Sequence, residues 1–298
     1  MSVAGTSLVS VIIPSFNQAR FLTDSLVSVA TQSYSPREVI VVDDGSSDDT
    51  AAIARRFAEV RCLSQGNQGT AAARNQGLRA SRGRYVLFLD ADDRLLPGAL
   101  ASGVDALQSE PECGFVYGHV RLFGSDPAHC RCPTQLPVAR DHYRELLARN
   151  YIWTPGATMY RRAAVDAVGG FDPRAGGSAD FDLNIRIARQ WPVRCHGQIV
   201  LDYREHADSQ SSDPAYMLQS AVSVRRRHLR LARRDGEAGA LQIGIRAVQA
   251  DYGEKLIDRM VERARGGDWR AAIRCLAPLL RYYPTGLGRR IMQRVRRS

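Results

Sequence analysis

Three short, predominantly apolar runs, each stopped by proline or acidic residues, constrain this chain more than any other feature. The runs are Val9-Ser-Val-Ile-Ile13, Glu38-Val-Ile-Val-Val42 and Tyr85-Val-Leu-Phe-Leu89. Each is too short for an ordinary helix and too continuously apolar for a strand wetted on one face. Runs of this kind build a largely parallel sheet covered by helices on both faces. The intervening segments agree with that. Phe21, Leu22, Leu26 and Val29 recur at helical spacing across residues 19–32. Ser46-Ser-Asp-Asp49 supplies N-cap candidates for a helix reaching about residue 57, and residues 69–80 read as a small-residue helix. Pro14 is expected to end the first strand, and Pro97 to open a helix.

Further strands are expected at 60–63, 115–123 and 198–203. Helices are expected at 141–150, 163–168 and 180–190, with a loop over 124–139. After Pro214 the pattern changes to long helices at 216–234 and 238–265, then a helical pair over 271–283. The chain therefore divides into an α/β domain, 1–215, and a basic helical appendage, 216–298. Gly-Asp-Trp-Arg-Ala-Ala at 267–272 is similar to half of a tetratricopeptide repeat, but one copy cannot build a solenoid.

Charge follows the same division. Residues 216–298 hold 18 arginines and Lys255 against 7 acids, a net +12, while residues 1–215 come to −2. The concentrated charge suits peripheral contact with anionic lipid or an acidic partner, and equally suits helices with solvated arginine faces. No nucleic-acid motif accompanies it, so no nucleic-acid partner is expected. The Arg-rich end, 288–298, reads as a membrane-surface segment or a basic tail. No apolar run reaches the length of a membrane span and no signal peptide is evident, so the expected location is cytoplasmic, with any membrane contact at the inner face. The six cysteines are scattered and read as reduced thiols.

In open α/β sheets ligands bind beyond the carboxyl ends of the strands. Here those ends carry Ser15-Phe16-Asn17, Asp43-Asp44 and Asp90-Ala91-Asp92-Asp93. One acidic end is explained by a turn or a helix cap. Five aspartates at one rim repel each other unless a cation or cationic group compensates. The run at 90–93 can present alternating carboxylates to a hard divalent cation, with nucleotide phosphates completing the shell.

The ordered motifs resemble those of the family 2 glycosyltransferases, which have the glycosyltransferase-A fold. The matching stretches are Val11-Ile-Ile-Pro-Ser-Phe-Asn17, Val41-Val-Asp-Asp-Gly-Ser-Ser-Asp48, Gly69-Thr-Ala-Ala-Ala-Arg-Asn75 and Phe88-Leu-Asp-Ala-Asp-Asp93. Gly169-Gly-Phe-Asp172, Ala179-Asp-Phe-Asp-Leu183 and Tyr203-Arg-Glu-His206 follow in the family's order. The resemblance implies inverting transfer of a sugar from a nucleoside-diphosphate sugar to a saccharide or lipid-linked acceptor. Cell-surface polysaccharide or glycolipid synthesis is the expected setting, with Mn²⁺ or Mg²⁺ as cofactor.

It also implies residue roles. Pro14, Ser15, Phe16 and Asn17 line the nucleotide, Asp43 and Asp44 hold the base edge, and Arg74 approaches the diphosphate. Asp90, Ala91 and Asp92 also face the donor, and Asp92, Asp93 and His206 hold the metal. Asp180 is the expected catalytic base and Asp182 the fallback. Ala179 stands where the family usually has Glu. Trp153 is expected in the core, with stacking on an acceptor sugar as the functional alternative. Two other readings compete. A nucleotidyltransferase would carry a Gly-rich phosphate loop where this chain has Pro14-Ser-Phe-Asn17. A non-catalytic nucleotide-sugar binder is suggested by Ala179.

Overall fold

The computed structural model describes residues 7–124, 130–134, 138, 140–206 and 209–288. The expected 124–139 loop lies partly, and the Arg-rich end almost wholly, outside the described residues. The chain forms two compact units. The first holds residues 1–143, 150–174 and 179–206. The second holds 144–149, 175–178 and 207–298.

In the first unit β1 (Val9–Ser15), β2 (Arg37–Asp43), β3 (Val60–Ser64), β4 (Tyr85–Phe88), β5 (Arg94–Leu95), β6 (Phe115–Phe123), β7 (Thr158–Arg161) and β8 (Val193–Arg204) form one 8-stranded sheet. The order is β3-β2-β1-β4-β7-β6-β8-β5. Pairs among β1, β2, β3 and β4 are parallel, β7 runs antiparallel between β4 and β6, and β6 and β8 are parallel. The carboxyl ends of β1, β2, β4, β6 and β8 therefore share one edge. All seven residues of β1 are buried, as its β-branched run requires for a central strand.

Pro14 does not end β1. The strand runs through it, pairing Pro14 with Val42 and Ser15 with Asp43. The β4 pairing stops earlier, at Ile12 and Phe88, so a residue without an N–H sits where one side of the ladder is already open.

Helices α1 (Ala19–Ala30), α2 (Thr50–Arg55), α3 (Thr70–Ala80) and α4 (Ala99–Ser109) connect the early strands. α1 buries Leu22, Leu26 and Val29 of the stripe read from the sequence, and Phe21 is partly buried. α4 starts two residues after Pro97, because Gly98 takes a left-handed conformation before it. Then follow α5 (His142–Ala148), α6 (Arg162–Ala167) and α7 (Ala179–Ala188). The main core joins Val11, Ile13, Leu22, Leu87, Leu100, Val116 and Met159 across both sheet and helices.

The second unit contains α8 (Pro214–Arg234), α9 (Ala238–Arg265), α10 (Trp269–Arg274) and α11 (Leu276–Tyr282). Asp213 caps α8 by accepting from the Ala215 N–H, with Pro214 at the first helical position. Leu218, Val222, Leu256, Ile257, Leu279 and Tyr283 form its core. Gly253 lets the Tyr283 ring lie against α9, since a Cβ there would fall 2.2 Å from Tyr283 Cδ1. No described helix is long and apolar enough to cross a membrane.

Candidate functional site

The acidic segments expected to form a site do meet at the carboxyl edge of the sheet. Asp44 follows β2 and donates its N–H to the Ser15 carbonyl at the end of β1, at 2.8 Å. Its buried carboxylate accepts from Gln65 Nε2 at 2.6 Å, from the Gln68 N–H at 2.9 Å and from the Gly69 N–H at 2.8 Å. Gly69 immediately precedes α3. Gly45 has φ +81°, and a Cβ there would lie 2.9 Å from the Asn67 nitrogen, so the turn tolerates only glycine beside this loop.

These contacts tie the first two strand ends into the sheet edge. Asp44 ties the 65–69 loop to the sheet with both carboxylate oxygens. Asp43 closes a turn by accepting from the Ser46 N–H at 3.0 Å. Asn17, at φ 53°, is a brace: its N–H donates to Ser46 Oγ and its Oδ1 accepts from the Ser47 N–H, both at 2.9 Å. Phe16 is exposed, and Ser15 Oγ is buried with no hydrogen-bond partner among the described residues. Phe16 is thus the available surface at this end.

Arg74 projects from α3 but does not stand free for a diphosphate. Its buried guanidinium meets Asp90 Oδ1 at 2.5 Å and lies over the Phe171 ring at 5.2 Å. Thr154 Oγ1 donates to the other Asp90 oxygen at 3.4 Å. Asp180, in the first turn of α7, sits within electrostatic reach of both Arg74 and Asp90. Burial raises the Asp180 carboxyl above the ordinary carboxylate range, opposed by Arg74 and the Phe181 N–H. Tyr160 is completely buried near Asp180 and donates to Asn184 Oδ1 at 2.8 Å.

Asp92 and His206 form the second cluster. His206 Nε2 lies 2.8 Å from Asp92 Oδ2, its ring centroid is 4.9 Å from that of Phe21, and its buried Nδ1 has no partner among the described residues. Burial and then Asp90 push the Asp92 carboxyl upward, while His206 opposes the shift. Asp93 does not join this pair. It is 1% exposed and accepts the Arg204 N–H at 2.9 Å. Arg204 in turn donates to the Asp92 carbonyl at 2.8 Å and to Asp24 Oδ2 at 2.8 Å. Burial, then Asp92 and Asp90, raise the Asp93 carboxyl well above its usual range. Asp93 therefore anchors the acidic loop to β8.

Asp182, the fallback base, is buried and accepts from Arg186 Nε at 2.8 Å, one turn along α7. Ala179 is also buried, so no carboxylate occupies that position. Trp153 overturns the core expectation: it is 44% exposed, and its ring centroid lies 6.4 Å from that of Tyr203. Sequence reading missed Thr154 and assigned Arg204 no role. Adjacency to Trp153 and membership of the Tyr203-Arg-Glu-His206 stretch were their only signals.

Among the described residues no three His, Cys, Asp or Glu side chains form a ready cation cage. The donors present nevertheless suit a shared site. Asp92 Oδ2 and His206 Nε2 converge to 2.8 Å, and two protein donors leave room for diphosphate oxygens around a hard cation.

The chain matches a family model described as Glycosyl transferase family 2 over residues 10–169. It is 33% identical over 174 residues to an uncharacterized glycosyltransferase of Nostoc sp., covering 55% of this chain and 54% of that protein. It is 36% identical over 124 residues to the putative teichuronic acid biosynthesis glycosyltransferase TuaG of Bacillus subtilis, covering 40% and 49%. The chain thus spans about half the length of these curated relatives. In fold it is similar to the mannosyltransferase PcManGT of Pyrobaculum calidifontis, solved with GDP-Man and Mn²⁺. That likeness has a TM-score of 0.58 and 20% identity, and covers 93% of this chain and 87% of the other.

Proposed function

Because the chain belongs to glycosyl transferase family 2, we propose that it transfers a sugar from a nucleoside-diphosphate sugar to an acceptor hydroxyl with inversion at the anomeric carbon. Its sheet has the glycosyltransferase-A fold. One observation carries the reading. Asp180, the Arg74–Asp90 pair and the Asp92–His206 pair come from distant segments and gather at one strand edge.

Asp180 takes the proton of the acceptor hydroxyl. The oxygen bonds to the anomeric carbon as the bond to the diphosphate breaks on the opposite face. One displacement inverts the configuration. A base of this kind contributes about 10²–10⁴-fold. Burial suits Asp180 to the task by raising its proton affinity, and Arg74 keeps that rise in check. With no carboxylate at Ala179, Asp180 acts without the usual acidic neighbour. Asp92 and His206 would hold a divalent cation, which would supply positive charge against the leaving diphosphate. Exposed Phe16 offers the nucleotide an aromatic face, and exposed Trp153 offers a platform for the acceptor sugar.

The similarity to TuaG, described as a putative teichuronic acid biosynthesis glycosyltransferase, supports a role in polysaccharide assembly. The test is a transfer assay over a panel of nucleoside-diphosphate sugars and saccharide acceptors with Mn²⁺. Product with the wild type, at least a hundredfold less with Asp180→Asn, and inverted anomeric configuration by NMR support the proposal. Retained configuration, or equal rates in both proteins, refutes it.

A further inference from the structure

The helical unit leaves an apolar stripe uncovered. Trp269 is 64% exposed, Ile273 61% and Leu280 62%. Cys275 between α10 and α11 keeps right-handed helical dihedrals, so the helical path continues through it. At 3.6 residues per turn, these three side chains fall within a sector of roughly 40°. Ala271, Ala272, Cys275, Leu279 and Tyr282 are buried on a different side of the same path. The stripe is therefore not a core face that has come loose.

Arginines border it. Arg270, Arg274 and Arg281 are exposed and follow Trp269, Ile273 and Leu280 by one residue each, which sets them roughly 100° further round. Arg226 of α8 extends the same basic flank. Its guanidinium carbon and that of Arg281 lie 5.7 Å and 5.4 Å from the Tyr282 ring centroid. The region from residue 216 onward carries net +12.

We propose that this face docks on an anionic lipid bilayer, with Trp269, Ile273 and Leu280 entering the interface and Arg270, Arg274 and Arg281 meeting lipid phosphates. An aromatic ring with two aliphatic neighbours suits the boundary between head groups and acyl chains. Arginine stems lie along apolar surface while their heads reach charge. A neutral protein partner would leave the arginine row unmatched; an anionic bilayer satisfies both rows. The inference rests on the second unit alone and stands apart from the transfer chemistry.

The experiment uses the full chain and vesicles of phosphatidylcholine, with or without 30 mol% phosphatidylglycerol. The expected result is sedimentation with the anionic vesicles only. Brominated acyl chains are expected to quench tryptophan fluorescence in the wild type but not in Trp269→Phe. Each arginine near an anionic surface is worth about fivefold, so the triple change Arg270→Gln, Arg274→Gln and Arg281→Gln is expected to weaken binding on the order of a hundredfold. Ile273→Ser with Leu280→Ser is expected to weaken it at least tenfold. These side chains are exposed, and an unchanged circular dichroism spectrum confirms folding. Failure of the folded wild type to bind anionic vesicles overturns the proposal. So does binding without quenching at Trp269, which assigns the contact to another basic segment. Unaltered vesicle binding by both variants overturns it too, and leaves the stripe to a protein partner.

Discussion

Arg74→Met removes the cation that joins two parts of the site. The Arg74 side chain is 8% exposed and that of Asp90 30%, with 2.5 Å between the charged atoms. Breaking a fully buried pair costs about 3–5 kcal/mol, because one charge is stranded. Water reaches Asp90 here, which reduces the figure to about 2 kcal/mol. For a domain of this size that lowers Tm by about 4–8 °C. A second effect concerns chemistry. Arg74 holds down the proton affinity that burial gives Asp180, so losing it raises the Asp180 pKa further. With Asp180 as the proposed base, transfer would require its ionised form, so the acid limb of the rate profile is expected to move to higher pH. Thermal melts and a pH profile of kcat/KM measure the two effects. Adding Asp90→Asn removes the stranded charge and is expected to recover at least half of the lost stability. An unchanged acid limb, together with a double variant no more stable than Arg74→Met, refutes this account of the pair.

Further outcomes follow from the geometry. Asp93→Asn keeps an oxygen acceptor for the Arg204 N–H, so Mn²⁺-dependent donor affinity stays within about twofold by calorimetry, whereas Asp93→Ala loses about 1–3 kcal/mol of stability through a buried unpaired N–H. Equal damage by both changes to donor binding restores Asp93 as a ligand. Gly45→Ala sets a Cβ against the Asn67 nitrogen at positive φ, and is expected to cost about 1–3 kcal/mol in a denaturant melt. Trp153→Ala raises the acceptor KM with little change in donor KM or Tm, because the ring is 44% exposed; a donor defect instead contradicts its role.

The central sheet was legible because its strands are locally determined. β1, β2 and β4 are mostly apolar and buried, and the polar residues at their ends mark one edge. The antiparallel insertion was not legible: Thr158–Arg161 gains its place between β4 and β6 through pairings with residues far away in sequence. The same limit explains the site. The Asp92–His206 contact joins residues 114 apart, a separation that no period or spacing reports. The motif order identified the acidic groups, but not which of them face inward. Asp44 binds the 65–69 loop, Asp93 binds the Arg204 N–H, and Arg74 binds Asp90; each depends on how distant loops close over the sheet. Trp153 read as core because large aromatics are mostly buried, and only the tertiary structure reveals its open face.

Titration of Mn²⁺ in the presence of a nucleoside diphosphate, followed by electron paramagnetic resonance, tests the convergence most directly. The account predicts one nucleotide-dependent Mn²⁺ per chain, lost in Asp92→Ala and retained in Asp180→Asn. Undiminished Mn²⁺ binding in Asp92→Ala, or equal loss in both variants, contradicts the division between a cation-holding pair and a separate catalytic base.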